Sequence, residues 1–173
     1  MDALTIKHKQ FFGSHVPACT VWGVTELYQP HVLIEIKLTV RLDLPKGYKT
    51  IMTGMPQVVV ANETAWVSGQ FAHDTEGNPV GEGDFEQQCE ASFANLDKCL
   101  AAIGATRNQV VHTGVMVVGL SENGAKVSAA HKKYFGDHPP ASTVWGVPGL
   151  GLPFMKVEIC AIVRLERHSF QKG

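Results

Sequence analysis

The sequence predicts an α+β fold, in which two helices lie on one face of a mixed β-sheet. Two observations lead to this prediction: short runs rich in β-branched residues that end at turn residues, and two segments whose apolar residues recur at helical spacing. The first two runs, residues 58–61 and 65–69, flank the turn Asn62-Glu63-Thr64 and predict a β-hairpin. The complete predicted order of this fold is ββαβαββ.

The first helix is the clearest single element. It follows residues 73–83, a loop rich in Gly, Asp, Asn and Pro. Asp84 is positioned to cap the first turn, and Gly104 ends the helix. We therefore expect one buried helix face. Its residues recur every three or four positions: Phe85, Cys89, Phe93, Leu96, Leu100 and Ile103.

The remaining elements follow from local composition. β-branched residues predict a strand over residues 110–118. A second helix is predicted over residues 123–134, and the prolines of residues 136–141 (GDHPPA) then impose an extended loop. Residues 143–147 and 156–165 supply the last two strands.

Part of the chain is repeated. Residues 9–42, the N-terminal repeat, align without a gap with residues 132–165, and 18 of the 34 aligned pairs are identical. Two copies are too few for a solenoid. By analogy with the second copy, residues 20–24 and 32–42 are expected to be additional strands that pair with a sheet edge, because an unpaired apolar strand promotes aggregation.

The predicted domain organisation follows from this repeat. Residues 1–47 are assigned to the added strands, residues 48–168 to a complete domain and residues 169–173 to a tail. The length of 173 residues is sufficient for one domain with such an extension.

Composition narrows the function classes. The formal charge of -1, from 15 basic and 16 acidic residues, argues against a nucleic-acid partner, which would require a concentrated basic face. No segment approaches a membrane span, and the first residues lack an apolar signal core, so a cytoplasmic location is expected. The four cysteines show no C-x-x-C spacing, which favours reduced, packed thiols over disulfides or a metal site.

Several short motifs occur in a characteristic order. They are V-S-G-Q at 67–70, D-x-x-G at 74–77, G-D-x-x-x-Q at 83–88, Ala91 with Asn95-Leu96, A-A-I-G-A at 101–105, Y-F-G-x-H-x-P-A at 134–141 and V-E-I at 157–159. Together they resemble the RidA family, also called the YjgF or L-PSP family, over residues 54–165. By the same resemblance, the N-terminal repeat is a second copy of the last third of the family's domain.

This resemblance implies a chorismate-mutase-like fold that assembles as a homotrimer with clefts at the subunit interfaces. Active members hydrolyse enamines and imines to keto acids and ammonia without a metal or organic cofactor. Glu158 of V-E-I corresponds to the glutamate that positions the attacking water. The other residues that the resemblance places in the cleft are Ser68, Gly69 and Gln70, and Ser142, Thr143 and Val144 after P-A.

One position departs from the family pattern. Family members have an arginine directly after P-A, which holds the substrate carboxylate in a bidentate pair. This chain has Ser142 there, and Cys19 at the same place in the N-terminal repeat. A hydroxyl offers one neutral hydrogen bond, so affinity for a 2-imino acid is expected to fall by a few kcal/mol. The added N-terminal strands are expected to cover or reshape the cleft.

Other residues are secondary candidates with structural alternatives. Trp145 provides either an aromatic wall for a flat substrate or interface packing. Glu35, the copy of Glu158, marks either a second cleft or a surface carboxylate. His138 suits proton transfer at neutral pH, but its place before the P-A loop also suits a structural role. Ser128, within the second predicted helix, is a further candidate.

Three functions remain open from the sequence. The first is a cofactor-independent deaminase or related hydrolase of small molecules, with Glu158 activating water and Ser142 and Thr143 orienting an altered substrate. The second is a non-catalytic module that binds a ligand or partner. The third, an endoribonuclease or translation inhibitor, is least favoured because the chain has no basic stripe.

Overall fold

The computed structural model describes residues 2–15, 17–27, 29, 31–40, 49–53 and 55–165. The elements are α1 Asp2–Phe12, β1 Lys49–Thr53, β2 Met55–Ala61, β3 Thr64–Gln70, α2 Phe85–Ala102, a 3₁₀ turn Arg107–Gln109, β4 Val110–Val118, α3 Leu120–Phe135, β5 Ala141–Val147 and β6 Val157–Arg164. The predicted order ββαβαββ is therefore confirmed over β2 to β6, and the sequence prediction omitted β1.

The strands form one six-stranded sheet in the order β1-β2-β3-β6-β4-β5. All neighbouring pairs are antiparallel except β4 and β5, which run parallel and are connected by α3. A parallel pair needs such a crossover, because a tight turn can only join antiparallel strands. The mixed sheet confirms the predicted α+β fold class.

The core lies between the sheet and two helices. Along β6, Val157, Ile159 and Val163 are fully buried and belong to one cluster with the apolar face of α2 and with Val127 and Phe135 of α3. Successive strand residues point to opposite faces. The alternate residues of β6, among them Glu158 and Cys160, therefore lie on the face opposite the helices.

The start of α2 agrees with the sequence prediction, and the start of α3 differs from it. Asp84 caps α2, its carboxylate accepting a hydrogen bond from the Gln87 backbone N–H at 3.0 Å, as predicted. Helix α3 begins at Leu120, three residues before its predicted start. Gly119, in the left-handed conformation, turns the chain directly from β4 into α3, and the Asn123 amide bonds Val118 instead of beginning the helix.

The two aligned segments share a helix end but not the strands that follow. Gly13 donates to the Lys9 carbonyl at 2.9 Å at the end of α1, and Gly136 makes the same bond to Lys132 at the end of α3. The predicted strand at residues 20–24 is reduced to one bridge, between Trp22 and Leu150.

Residues 31–40 contain no strand, although the sequence predicts one over residues 32–42. Their counterpart, β6, is hydrogen-bonded on both sides, by β3 and β4. Residues 31–40 have no such neighbours in the part of the chain that the structure describes. Residues 41–42, the predicted boundary at 47/48 and the tail 169–173 lie outside the described residues. None of the described helices is long and apolar enough to cross a membrane.

Candidate functional site

Glu158 is a carboxyl group buried within the sheet. It lies on β6 opposite Met116 of β4, on the face that the helices leave uncovered. Only 6% of its surface is exposed. Its Oε2 atom accepts no hydrogen bond from any residue that the structure describes. A buried carboxylate oxygen without a donor is unfavourable, which makes Glu158 a candidate functional group.

Burial also determines the protonation of Glu158. The loss of hydration raises the pKa of its carboxyl group to about 7, from an ordinary value of 4.5. About half of the molecules then carry an ionised Glu158 at neutral pH. A group with this pKa can both accept and return a proton near neutrality.

The V-S-G-Q segment forms one wall of this site. The pairing of β3 with β6 shifts in register between Val67 and Gln70, which leaves Ser68 and Gly69 in an irregular stretch. The Glu158 carboxylate lies against Gly69, where a Cβ atom would overlap Oε1. Gln70 is buried, and its amide donates to the Ser68 carbonyl at 3.1 Å. Glycine at position 69 therefore makes room for the carboxylate.

The N-terminal repeat forms a second wall. The Cys19 N–H donates to the Ser68 hydroxyl at 3.0 Å, and the Gly69 N–H donates to the Cys19 carbonyl at 3.3 Å. The side chain of Thr20 hydrogen-bonds the Cys160 thiol. Burial and the nearby charge of Glu158 both raise the pKa of the Cys19 thiol. Sequence reasoning identified Cys19 only as a counterpart of Ser142 and did not place it beside Glu158.

The structure does not bring Ser142 to Glu158 within one chain. The Ser142 hydroxyl accepts a hydrogen bond from Thr113 at 2.9 Å. Thr113 is fully buried and contacts the His131 ring of α3 at 3.2 Å, so this pair lies on the helix side of the sheet. The register of the parallel strands fixes this orientation, because Ser142 pairs with Thr113 whereas Glu158 pairs with Met116.

The other residues after P-A alternate in the same way. Thr143 pairs with Gly114 and Trp145 with Met116, which places both on the side of Glu158, whereas Val144 lies on the helix side. The Trp145 ring covers Gly114, where a Cβ atom would lie 2.9 Å from the ring, and the side chain remains 45% exposed. Two strands, β4 and β6, separate β5 from the V-S-G-Q wall.

The secondary candidates lie at the surface. The side chains of Glu35, Ser128 and His138 are exposed. The backbone N–H of His138 donates to Phe135, and that of His15 makes the equivalent bond to Phe12. This shared bond supports the structural alternative for the two histidines.

The described residues contain neither a metal-ligand cluster nor a disulfide. No group of three or more His, Cys, Asp or Glu side chains in these ranges could hold a metal ion. Cys19, Cys89, Cys99 and Cys160 are free thiols in this structure.

Residues 51–165 identify the family to which the chain belongs. These residues match the family model described as Endoribonuclease L-PSP. The chain belongs to this L-PSP family. Residues 51–165 contain Glu158 and the V-S-G-Q wall, but not the N-terminal repeat that contributes Cys19.

Sequence similarity to two named proteins supports this family membership. The chain is 29% identical over 94 residues to the rat 2-iminobutanoate/2-iminopropanoate deaminase, covering 54% of this chain and 68% of the relative. It is 28% identical over 107 residues to the Saccharomyces cerevisiae protein MMF1, mitochondrial, covering 61% of this chain and 72% of the relative.

Solved structures extend the likeness to the whole domain. A putative endoribonuclease from Thermotoga maritima is 32% identical with a TM-score of 0.60, covering 76% of this chain and 99% of that one. The crystal structure of yeast Mmf1 is 26% identical with a TM-score of 0.62, covering 68% and 91%. Mixed α+β structures of the YjgF and L-PSP type therefore share this fold.

Proposed function

We propose that this L-PSP family member hydrolyses the C–N bond of a small enamine or imine, with Glu158 as the general base. The observation that carries the proposal is the buried Glu158 carboxyl group, with a pKa of about 7 and an Oε2 atom that receives no hydrogen bond from the described residues. The deaminase name of the rat relative supports the same reaction class.

The reaction needs one proton acceptor. Ionised Glu158 takes a proton from water as the water oxygen bonds to the imine carbon, and the C=N electron pair moves to nitrogen. Glu158 then returns the proton to nitrogen, which gives a carbinolamine. Glu158 next takes the proton of the carbinolamine hydroxyl and passes it to the amino nitrogen as the C–N bond breaks, and a carbonyl compound and ammonia leave. An imine and one water are consumed, so neither a metal nor a redox cofactor is required.

The substrate is expected to lack a carboxylate beside the imine. Neither Ser142 nor Cys19 provides the positive charge that would bind one. The ionised form of Glu158 would also repel a second negative charge in a site shielded from water. We therefore expect a neutral or cationic imine, with Ser68 and Gln70 as polar groups of the wall and Thr143 and Trp145 on the same face.

Ammonia release tests the reaction. Imines would be generated in situ by an amine oxidase, which gives imines without a carboxylate, and by an amino-acid oxidase, which gives 2-imino acids. We expect Glu158→Gln to lower the rate about 100-fold or more with the first group. The matched control is Glu35→Gln at the equivalent, exposed position. If Glu35→Gln were equally inactive, a second cleft would be indicated.

The pH dependence gives an independent check. Since the base must be ionised, kcat/KM should rise with pH through about 7 and level off above it. Release that is unaffected by Glu158→Gln would reject the proposed base. Ligand binding without any ammonia release would favour the alternative, a non-catalytic binding module.

We also propose a homotrimeric assembly, a cytoplasmic location and no nucleic-acid partner. The exposed strand β5, with Val144 and Trp145 at 42% and 45% exposure, is compatible with the homotrimer that the resemblance implies. Light scattering of the purified chain would measure the number of subunits.

The cytoplasmic location can be tested by imaging a tagged chain, since the yeast relative is named as mitochondrial. RNA cleavage is not expected at a formal charge of -1.

A further inference from the structure

We propose that the N-terminal repeat completes the Glu158 site within its own chain, so that Cys19, and not Ser142, faces the substrate beside the carboxyl group. This inference rests on the proposed function where it concerns a substrate. The position of Cys19 can be tested without any catalytic assay.

Several hydrogen bonds hold residues 17–24 against the domain, in a position called here the seat. The Cys19 N–H donates to the Ser68 hydroxyl at 3.0 Å, and the Cys19 carbonyl accepts from the Gly69 N–H at 3.3 Å. The Thr20 side chain bonds the Cys160 thiol, and the Gly23 N–H donates to the Gly149 carbonyl at 2.9 Å. These contacts join the N-terminal repeat to β3, to β6 and to the loop after β5. The segment therefore follows the rim of the site.

The Glu158 carboxylate lies at the centre of this arrangement. It packs against Gly69, whose N–H bonds the Cys19 carbonyl. Glu158 is only 6% exposed, and its Oε2 atom lacks a donor among the described residues. A substrate N–H directed at Oε2 would satisfy that atom. The backbone of Cys19 makes both hydrogen bonds of this wall, and burial and the Glu158 charge both raise the pKa of its thiol.

The two copies of the repeat differ at the position that would face Glu158, so Cys19 and Ser142 can be told apart. Residues 17–24 (PACTVWGV) and 140–147 (PASTVWGV) differ only at Cys19 and Ser142. A second copy of this chain could therefore offer residues 140–147 to the same seat. The N-terminal repeat already occupies that seat and competes at the high effective concentration of an intramolecular group. The residue presented to Glu158 is consequently a thiol.

Thiol alkylation tests the position of Cys19. In the unmodified chain, ionised Glu158 opposes formation of the Cys19 thiolate. We expect iodoacetamide to modify Cys19 several-fold faster in Glu158→Gln than in the natural chain at pH 8.5, as measured by peptide mass spectrometry. Cys99, whose pKa is raised by burial in α2, is the internal control and should not change. Equal Cys19 rates in both proteins would overturn the proposal.

Dilution separates the chain's own repeat from a neighbour's. The rate difference at Cys19 should persist at protein concentrations where light scattering detects only monomers. A difference that disappears on dilution would assign the contact to a second copy and would contradict the proposal. Neither outcome depends on whether the protein is a deaminase.

A matched pair of variants tests the specificity. At pH 6, below the pKa of Glu158, Cys19→Arg should bind 2-oxobutanoate, a stable carboxylate probe, about ten-fold or more tightly than the natural chain. Ser142→Arg should leave binding unchanged, because Ser142 lies on the helix side. The opposite ranking by calorimetry would overturn the assignment. If Cys19→Arg does not fold, the alkylation result decides.

Discussion

At the scale of single residues, the site depends on one carboxyl group and the glycine beside it. Glu158 is withdrawn from water by β3, β4 and the N-terminal repeat, and its pKa rises as a direct consequence. Gly69 allows this position because it has no Cβ atom. Both residues lie in motifs that sequence reasoning assigned to the cleft.

The first prediction concerns stability against pH in Glu158→Gln. Below about pH 4.5, Glu158 is protonated in both the folded and the unfolded state and does not change the free energy of unfolding. Between about pH 4.5 and 7 it ionises more readily in the unfolded state, so the folded state loses stability as the pH rises. The glutamine variant should therefore gain up to about 3 kcal/mol relative to the natural chain between pH 4.5 and 8.5. Urea unfolding at both pH values measures this gain, and Glu35→Gln should show none.

The second prediction concerns Gly69→Ala. The new methyl group would overlap the Glu158 carboxylate, which must then move out of its place. We expect a loss of about 1–3 kcal/mol in the free energy of unfolding, from overpacking, and a marked loss of ammonia release. Gly149→Ala is the control, since a Cβ there meets no atom within 4 Å. Equal behaviour of the two variants in urea unfolding would contradict the steric explanation.

At the scale of elements, buried polar side chains hold the loops that position the sheet. Gln88 of α2 donates to the Gly81 and Phe154 carbonyls and accepts from the Lys156 N–H, which fixes the chain just before β6. Asn95 donates to the Phe71 and His73 carbonyls just after β3. Two further family motifs are thus explained by hydrogen bonds at the ends of the strands that carry Glu158 and the V-S-G-Q wall.

The third prediction contrasts a glycine within α3 with the glycine just before its first residue. Gly124 lies within the helix, where a Cβ would make an ordinary contact with Leu120 at 3.6 Å. Gly124→Ala should stabilise the protein by about 0.5–1 kcal/mol. Gly119 has a φ of 69°, so Gly119→Ala should destabilise it by about 1–2 kcal/mol. Thermal unfolding of both variants checks the opposite signs, and two shifts of the same sign would contradict the assigned helix start.

At the scale of the whole molecule, similar sequences lie in different surroundings. Ile159 on β6 is fully buried between neighbouring strands and α2, whereas its counterpart Ile36 is 66% exposed. Burial is therefore decided by the partners that a segment finds and not by the segment alone.

The fourth prediction uses this pair. Ile159→Ala should reduce the free energy of unfolding by about 2–5 kcal/mol, since it leaves a cavity in the core. Ile36→Ala should change it by no more than about 0.5 kcal/mol. Urea unfolding compares the two. A similar loss in both variants would show that residues 31–40 are buried against a partner in solution.

The sequence by itself determined the elements from β2 to β6 and the Asp84 cap, because each depends on residues close together in the chain. It also determined the family through its motifs. Only the tertiary structure decided what surrounds Glu158. The β4–β5 register directs Ser142 to the helix side, and long-range hydrogen bonds bring Cys19 to the carboxylate. Strand pairing is likewise non-local, which is why residues 31–40 do not repeat β6.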